Sequence, residues 1–240
     1  MKYSFLAVVI PAYKESKNLD ILLDRVKASV PGAYVIVVDD SPFPEHELLQ
    51  RIVRKKRNIK IDLLYRGSKL GRGSAVIAGI KKALRNQEVS MIIEMDADLA
   101  HSPEECCLLL AQSGRADMVI GSRYLRGSTI KDCPIHRLIQ SKIINFFLHF
   151  WLGLKISDYT NGFRLYNRKA ASLLTKLKLR EKGFIALSEI AYALRQNGCT
   201  IAEVPVSFTD RKYGVSNATM KELIASLFGV IRLRFTSYTL

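Results

Sequence analysis

Two aspartates, Asp96 and Asp98, close the run SMIIEMDAD (90–98), whose earlier residues are apolar enough to be buried. On extended backbone, residues two apart share a face. The two carboxylates would then point the same way and repel each other unless a cation stood beside them. Carboxylate oxygens are hard ligands that favour Mg²⁺ or Mn²⁺, ions that usually also bind substrate phosphates. His101 could add a further ligand, although a lone histidine after a turn reads first as an exposed side chain. A second acid pair, Asp39 and Asp40, ends AYVIVVDDS (33–41). Adjacent strand residues face opposite ways, so these acids would serve different atoms. The ribose hydroxyls and base N–H groups of a nucleoside would suit them, and so would simple capping and turn formation.

Two further stretches carry groups that suit anions. SKLGRGSAVIAGI (68–80) sets Gly71 and Gly73 before a helix, where backbone N–H groups could approach phosphate oxygens. Its spacing matches neither a Walker loop nor a dinucleotide fingerprint, and packing explains the glycines equally well. GSRYLRG (121–127) brings Arg123 and Arg126 across from the acids, with Arg137 and Lys142 on or near the next helix. Cations beside a carboxylate-bound metal imply two anionic groups in one site, one held through metal and the other by arginine.

The elements that must position these residues alternate through the first half. Strand patterns at 4–13, 33–41, 60–66, 90–98 and 116–124 are separated by helix patterns at 15–30, 46–57 and 73–86 and by one opening at SPEE. Ser16 or Asn18 is the expected cap of the first helix, and Ser102 of the last, with Pro103 in its first turn. The strands do not alternate polar and apolar residues, so the expected fold is α/β, with a mostly parallel sheet covered on both faces. Ligands of such sheets bind beyond the carboxyl ends of the strands, where PAYKE, VDDS and DADLAH all fall. The second half reads as a helix at 137–154, a turn, short strand and helix over 158–174, and a helix at 188–198. A strand at 199–211, interrupted by Pro205 and so at an edge, precedes a helix from Met220. No linker or repeat divides the chain. The expected organisation is one domain over 1–240 that ends in a helical extension (218–240).

Composition narrows the partners. With 37 basic and 22 acidic residues, the formal charge of +15 favours anionic ligands or surfaces. The basic runs lack aromatic interleaving and a recognition motif, which argues against nucleic acid. Cys106, Cys107, Cys133 and Cys199 fit no zinc pattern, and MKYSFLAVVIP is no signal peptide, so reduced thiols in a cytoplasmic protein are expected. The apolar stretches 143–154 and 222–235 fall short of the ~20 residues a bilayer crossing needs, though either could lie in a membrane interface.

Six motifs occur in an order that resembles the family-2 inverting glycosyltransferases of the GT-A fold: VIPAYKESKNL, VVDDS, EMDADLAHSPEE, GSRYLRG, TNGFRLY and EVPVSFTDRKYGVS. Within that family the pattern is most similar to dolichol-phosphate mannosyltransferases and related polyprenyl-phosphate glycosyltransferases. The resemblance spans about Val8 to Ser216 and makes 1–125 the nucleotide-sugar-binding half and 126–217 the acceptor-binding half. It implies that Pro11, Tyr13 and Glu15 line a nucleotide-sugar pocket, that Asp39 and Asp40 recognise base or ribose, and that Gly71 belongs to the same pocket. Asp96 and Asp98 would bind Mg²⁺ or Mn²⁺ on the donor diphosphate. Arg123, Arg137 and Ser141 would hold the acceptor phosphate, and Arg211 would approach the diphosphate. Asp158 and Asp98 are the carboxylates placed to act as a base. The implied reaction moves a sugar, mannose from GDP-mannose foremost, to dolichyl or polyprenyl phosphate with inversion. It would run at the cytoplasmic face of a membrane, through peripheral contact or an anchoring subunit. Four positions depart from the pattern. Ala100 stands where a glutamine is common and Lys14 where an asparagine is; DDSPFPE is shortened, and Ser216-Asn217 replaces a Ser-Lys pair. A UDP-sugar donor, a soluble acceptor, or a catalytically silent nucleotide-sugar-binding protein would be compatible with those departures.

Overall fold

The computed structural model describes residues 3–181, 185–210 and 229–238; Arg211, Ser216-Asn217 and residues 220–228 of the expected last helix lie outside them. β1 (Leu6–Ala12) and β2 (Tyr34–Asp39) are buried almost throughout, as strands covered on both faces must be. Between them α1 (Ser16–Ser29) turns Leu19, Leu22, Leu23 and Val26 inward at helical spacing. Neither Ser16 nor Asn18 caps it. Glu15 takes the cap position, its carboxylate accepts from Asn18 Nδ2 at 2.6 Å, and Glu45 accepts from the Ser16 N–H at 3.1 Å.

The chain continues through α2 (Phe43–Lys55), β3 (Lys60–Tyr65), α3 (Arg72–Ala83) and β4 (Met91–Glu94). A 3₁₀ turn (Pro103–Glu105) then leads into the short α4 (Cys106–Leu110), and Ser102 supplies no side-chain cap there. Next come β5 (Met118–Ser122), β6 (Thr129–Lys131), α5 (Ile135–Leu152), β7 (Arg164–Asn167) and α6 (Arg168–Lys176). α7 (Ile185–Gln196), β8 (Ile201–Pro205) and β9 (Ser207–Thr209) follow, and residues 229–235 are helical.

The main sheet has the order β3-β2-β1-β4-β7-β5-β8. Every pair is parallel except those of β7, which runs antiparallel to both β4 and β5. β8 closes one edge, as Pro205 requires, and β6 pairs with β9 in a small second sheet. The order reverses at β1, which pairs with β2 on one side and β4 on the other, and ligands of open α/β sheets bind outside that switch point. Packing there is close. A Cβ on Gly79 of α3 would stand 2.3 Å from Val9 Cγ1 of β1, so only glycine lets the helix approach the sheet this far.

One expectation changes with direct consequences for the site. β4 stops at Glu94, four residues short of Asp98. Asp96 and Asp98 therefore lie in a turn rather than on one face of a strand, with Leu99 in the left-handed region at φ 64°. The Asp98 carboxylate accepts from the Ala100 N–H at 3.1 Å, an aspartate turn that competes with strand continuation.

At the opposite edge of the sheet, Asp117 ties three strands together. It accepts from Thr200 N–H at 2.9 Å, from Asn167 Nδ2 at 2.9 Å and from Lys169 Nζ at 3.2 Å. Burial raises its pKa, but the bonds from Thr200, Asn167 and Lys169 outweigh that and bring it to about 2. The folded value lies below the unfolded one of ~3.9, so the contribution is complete above pH 4 and is lost as pH falls toward 2. Asp117→Asn should cost about 2 kcal/mol at pH 7. Chemical denaturation from pH 7 to pH 2 would show a correspondingly smaller loss of stability in the variant.

Candidate active site

The residues at the carboxyl edge of the sheet form a chain of buried charge pairs. At the end of β1, Pro11 and Tyr13 are half-buried, and the Lys14 and Lys69 ammonium groups stand 5.5 and 5.0 Å from the Tyr13 ring centre. Lys14 itself sits at φ 59°, a conformation that favours asparagine or glycine, and its N–H donates to Ser41 Oγ at 2.9 Å.

Asp39 and Asp40, at the end of β2, are both buried and bonded within the protein. Asp39 accepts from the Ser41 N–H at 2.8 Å and lies 2.7 Å from His46 Nδ1. The His46 ring stacks on Tyr65 at 3.8 Å. Asp40 receives Nε and Nη2 of Arg66, each at 2.6 Å, and the Leu70 N–H at 3.0 Å. A nucleoside at this edge would meet a preformed frame of His46, Tyr65 and Arg66, with the two acids behind it.

Gly71, at φ 96°, starts α3 and delivers Arg72 across the switch point. The Arg72 guanidinium bonds Asp96 Oδ1 through Nε at 2.8 Å and Nη2 at 2.6 Å, and it contacts Glu94 through Nη1. Glu94 is fully buried and also accepts from Tyr166 O–H at 2.7 Å. Burial alone would lower the Arg72 pKa. Asp96 and Glu94 more than reverse this and hold its pKa above the ordinary guanidinium value. The fit against the chain is tight, because a Cβ on Gly162 would fall 2.0 Å from Arg72 Nη2.

His101 is buried, contrary to the expected exposure. Its Nδ1 lies 3.3 Å from the Asp96 N–H, which it accepts, so the proton is assigned to Nε2, 2.7 Å from Asn161 Oδ1. Asn161 in turn donates to the Gly121 carbonyl. The ring stacks on Phe163 at 5.3 Å, which fixes the turn that carries Asp96 and Asp98.

Across the edge, Arg123 follows β5 and meets Asp158. Its Nε lies 2.7 Å from Asp158 Oδ2, and its Nη2 lies 2.8 Å from Oδ1 and 2.7 Å from Thr160 Oγ1. Asp158 is fully buried and also accepts the backbone N–H groups of Arg123, Thr160 and Asn161. Burial pushes its pKa up, but the Arg123 bonds and charge and these N–H groups hold it below the usual carboxylate range. The group is an ionised anchor for Arg123.

From there a hydrogen-bonded chain continues outward. Thr160 Oγ1 accepts from Asn145 Nδ2 at 3.2 Å, which also reaches the Ser141 carbonyl at 2.9 Å, and Ser141 Oγ accepts from Tyr124 O–H at 2.6 Å. Of these residues Arg123, Tyr124 and Asn145 line an open cleft of about 790 Å³ between α5 and the 123–130 and 155–157 segments, while Ser141 stands behind it. Arg123, Lys142 and Lys155 give it cationic walls; Leu125, Leu138 and Phe146 give it apolar ones. Arg137 instead pairs with Asp210, and neither it nor Arg126 lines the cleft.

Asp96, 30% exposed at its side chain, and half-buried Asp98 are the residues that could hold a metal. Among the described residues no cluster of three or more His, Cys, Asp or Glu is suited to one. Two hard carboxylates in one turn fit Mg²⁺ or Mn²⁺, which take few protein ligands and complete their shells with water and substrate phosphate. Arg66, Arg72, Glu94 and Lys155 were not singled out from sequence. Glu94 ends β4, Arg66 follows β3, Arg72 opens α3 and Lys155 lies just past α5, and those positions are the signal they carry; the pairing of Arg66 with Asp40 and of Arg72 with Glu94 and Asp96 exists only across the sheet.

Residues 7–174 match the description of glycosyl transferase family 2. The chain belongs to that family. Among curated relatives, this glycosyltransferase is 36% identical over 225 residues to polyprenol monophosphomannose synthase of Mycolicibacterium smegmatis, covering 93% of this chain and 84% of that one. It is 32% identical over 208 residues to undecaprenyl-phosphate mannosyltransferase of Micrococcus luteus, covering 87% and 85%. Solved structures of glucosyl-3-phosphoglycerate synthase from Mycobacterium tuberculosis share its fold. One, in complex with Mn²⁺, UDP and glucosyl-3-phosphoglycerate, gives a TM-score of 0.64 at 16% identity, over 95% of this chain and 77% of the other. The glycosyltransferase thus has the mostly parallel GT-A sheet that its sequence implied.

Proposed function

We propose that this glycosyltransferase moves a mannosyl group from GDP-mannose to a polyprenyl phosphate. The carrying observation is the 36% identity over 93% of the chain to a polyprenol monophosphomannose synthase. The cleft supports the same acceptor class, because it sets cationic Arg123, Lys142 and Lys155 beside apolar Leu125, Leu138 and Phe146. Such a lining suits a phosphate that carries a hydrocarbon chain.

The donor lies over the switch point, against Pro11, Tyr13 and the frame that Asp39 and Asp40 support. The positive ends of Lys14, Lys69 and Arg72 flank its diphosphate. A divalent cation bound by Asp96 and Asp98 would neutralise charge on the leaving diphosphate. Arg211, outside the described residues, adds to that charge stabilisation. An acceptor phosphate oxygen attacks the anomeric carbon in line, the bond to the diphosphate breaks, and GDP departs with the electron pair. The acceptor needs no base, since its second pKa is ~6 and it is mostly a dianion at neutral pH. Asp158 accordingly acts as a positioning residue that holds Arg123, and the arginine meets the phosphate. Inversion at the anomeric carbon follows from the single displacement.

No helix among the described residues is long and apolar enough to cross a membrane. Polyprenyl phosphate is a lipid, so the proposed reaction brings the enzyme to a membrane, with peripheral contact or a membrane-anchoring subunit at the cytoplasmic face as the proposed means. Calorimetric titration tests the donor side. GDP-mannose should bind more tightly than UDP-glucose and more tightly with Mn²⁺ than without; equal affinity for both donors, unaffected by metal, would overturn the donor assignment.

A further inference from the structure

The outer face of α5 has the wrong polarity for contact with water. Its buried face is made by Asn145, Leu148 and Leu152, and the opposite face of a surface helix is normally polar. Here Ile135, Ile139, Ile143, Phe146, Phe147 and Phe150 are all exposed, Ile135 by 68% and Phe150 by 70%. At 100° per residue they fall within about a third of the helix circumference. The stripe continues beyond the helix. Phe146 and Phe150 pack at 4.8 Å, Phe147 stacks on Trp151 at 6.0 Å, and Trp151 meets Phe235 edge-on at 6.3 Å. Phe235 is 78% exposed. Contiguous apolar surface of this kind marks an interaction site rather than ordinary scatter.

We infer that this stripe is a docking face for an anionic lipid bilayer, laid in the membrane interface parallel to α5. Charge selects the occupant. α5 contains no Asp or Glu, and cations border the stripe: Lys142 and Lys155 at the cleft, and Arg234, whose Nη1 donates to the Trp151 carbonyl at 3.1 Å. Two copies of the chain meeting on this face would bring like charges together, whereas an acidic headgroup layer neutralises them. Aromatic side chains at the stripe's end and basic residues at its margin are the composition of an interfacial helix. The inference rests on the proposed polyprenyl phosphate acceptor and adds its direction of entry. Leu138 and Phe146 line the cleft, and Phe146 also belongs to the stripe, so the cleft opens where the helix would meet lipid.

Trp151 is the sole tryptophan and reports the contact directly. Vesicles of phosphatidylglycerol and dibrominated phosphatidylcholine, free of polyprenyl phosphate, should quench its emission and carry the protein with them on flotation. The triple substitution Ile139→Ser, Ile143→Ser, Phe150→Ser removes exposed apolar groups that do not line the cleft. It should lower vesicle partitioning by about 100-fold, while the circular dichroism spectrum stays that of the parent. Phe235→Ser, on the neighbouring helix, should give a smaller loss in the same direction. Unquenched parent protein left in the aqueous fraction would overturn the inference. So would a triple variant that partitions like the parent, or a parent dimer that the substitutions split. Transfer to a short-chain, water-soluble polyprenyl phosphate separates the two claims. The triple variant should retain it, and vesicle quenching without transfer to any acceptor would uphold the face while overturning the reaction.

Discussion

Asp96→Asn should reduce mannosyl transfer by about 100-fold or more, the scale seen when a single charge-stabilising group is removed from a transition state. Asparagine keeps the shape of the side chain and removes its charge. On the proposed reading two functions are then lost together: a hard oxygen ligand beside Asp98, and the partner that holds Arg72 at 2.6 Å from Oδ1. With Asp96 neutral, the buried Glu94 is the remaining anionic partner of Arg72. The expected signature is a lower kcat with a raised Mn²⁺ requirement, measured with saturating donor. A control at Asp62 separates site from general electrostatics. Asp62 accepts from Tyr34 O–H at 2.5 Å and pairs with Lys82 at 2.8 Å, so Asp62→Asn should leave transfer near parental rates. Full activity and unchanged metal dependence in Asp96→Asn would contradict the placement of the donor.

The second large effect falls on stability. Asp158→Asn leaves the Arg123 guanidinium, largely buried and with 13% of its side chain exposed, without its counter-charge. Removing one partner of a buried pair costs about 3–5 kcal/mol. For a domain of this size that lowers Tm by roughly 10 °C. Transfer should fall as well, because Arg123 loses its counter-charge and one of the two side-chain bonds from residue 158 that aim it. A double substitution, Asp158→Asn with Arg123→Met, removes both charges and should recover much of the stability without recovering transfer. The pH profile distinguishes positioning from proton transfer. If Asp158 only positions, the acidic limb of kcat/KM in the parent reports the acceptor phosphate near ~6 and persists in Asp158→Asn. Disappearance of that limb in the variant would restore Asp158 as the base.

Much of the sheet was legible because its strands are short, unbroken apolar runs: LAVVIPA, YVIVVD and MVIGS are buried at nearly every position. The ends of strands were less so. The pattern around MIIEMDAD carries no mark that β4 stops at Glu94, since the local bond between Asp98 and the Ala100 N–H decides it. β7 is only four residues long, and its insertion antiparallel between β4 and β5 depends on tertiary pairing that no local period encodes. In the site, the acids stood out by type and spacing, but their guanidinium partners did not. Arg66 lies 26 positions from Asp40, and Arg72 lies 24 from Asp96. Arg72 was hidden by the glycines around it, and Lys155 by its isolation in a connecting segment. His101 read as solvent-exposed because nothing local announces its stacking on Phe163. The apolar character of 143–154 was visible, whereas the outward stripe beginning at Ile135 emerged only once the buried face of α5 was known.

The proposed reaction is a sugar transfer from nucleotide to lipid phosphate. The most direct measurement incubates the purified enzyme and Mn²⁺ with polyprenyl phosphate and a panel of labelled nucleotide sugars, then extracts the lipid. Label should enter the lipid phase from GDP-mannose above all other donors, in a β-linked phosphodiester formed with stoichiometric release of GDP. Label that stays in the aqueous phase with every donor, using well-folded protein, would contradict it.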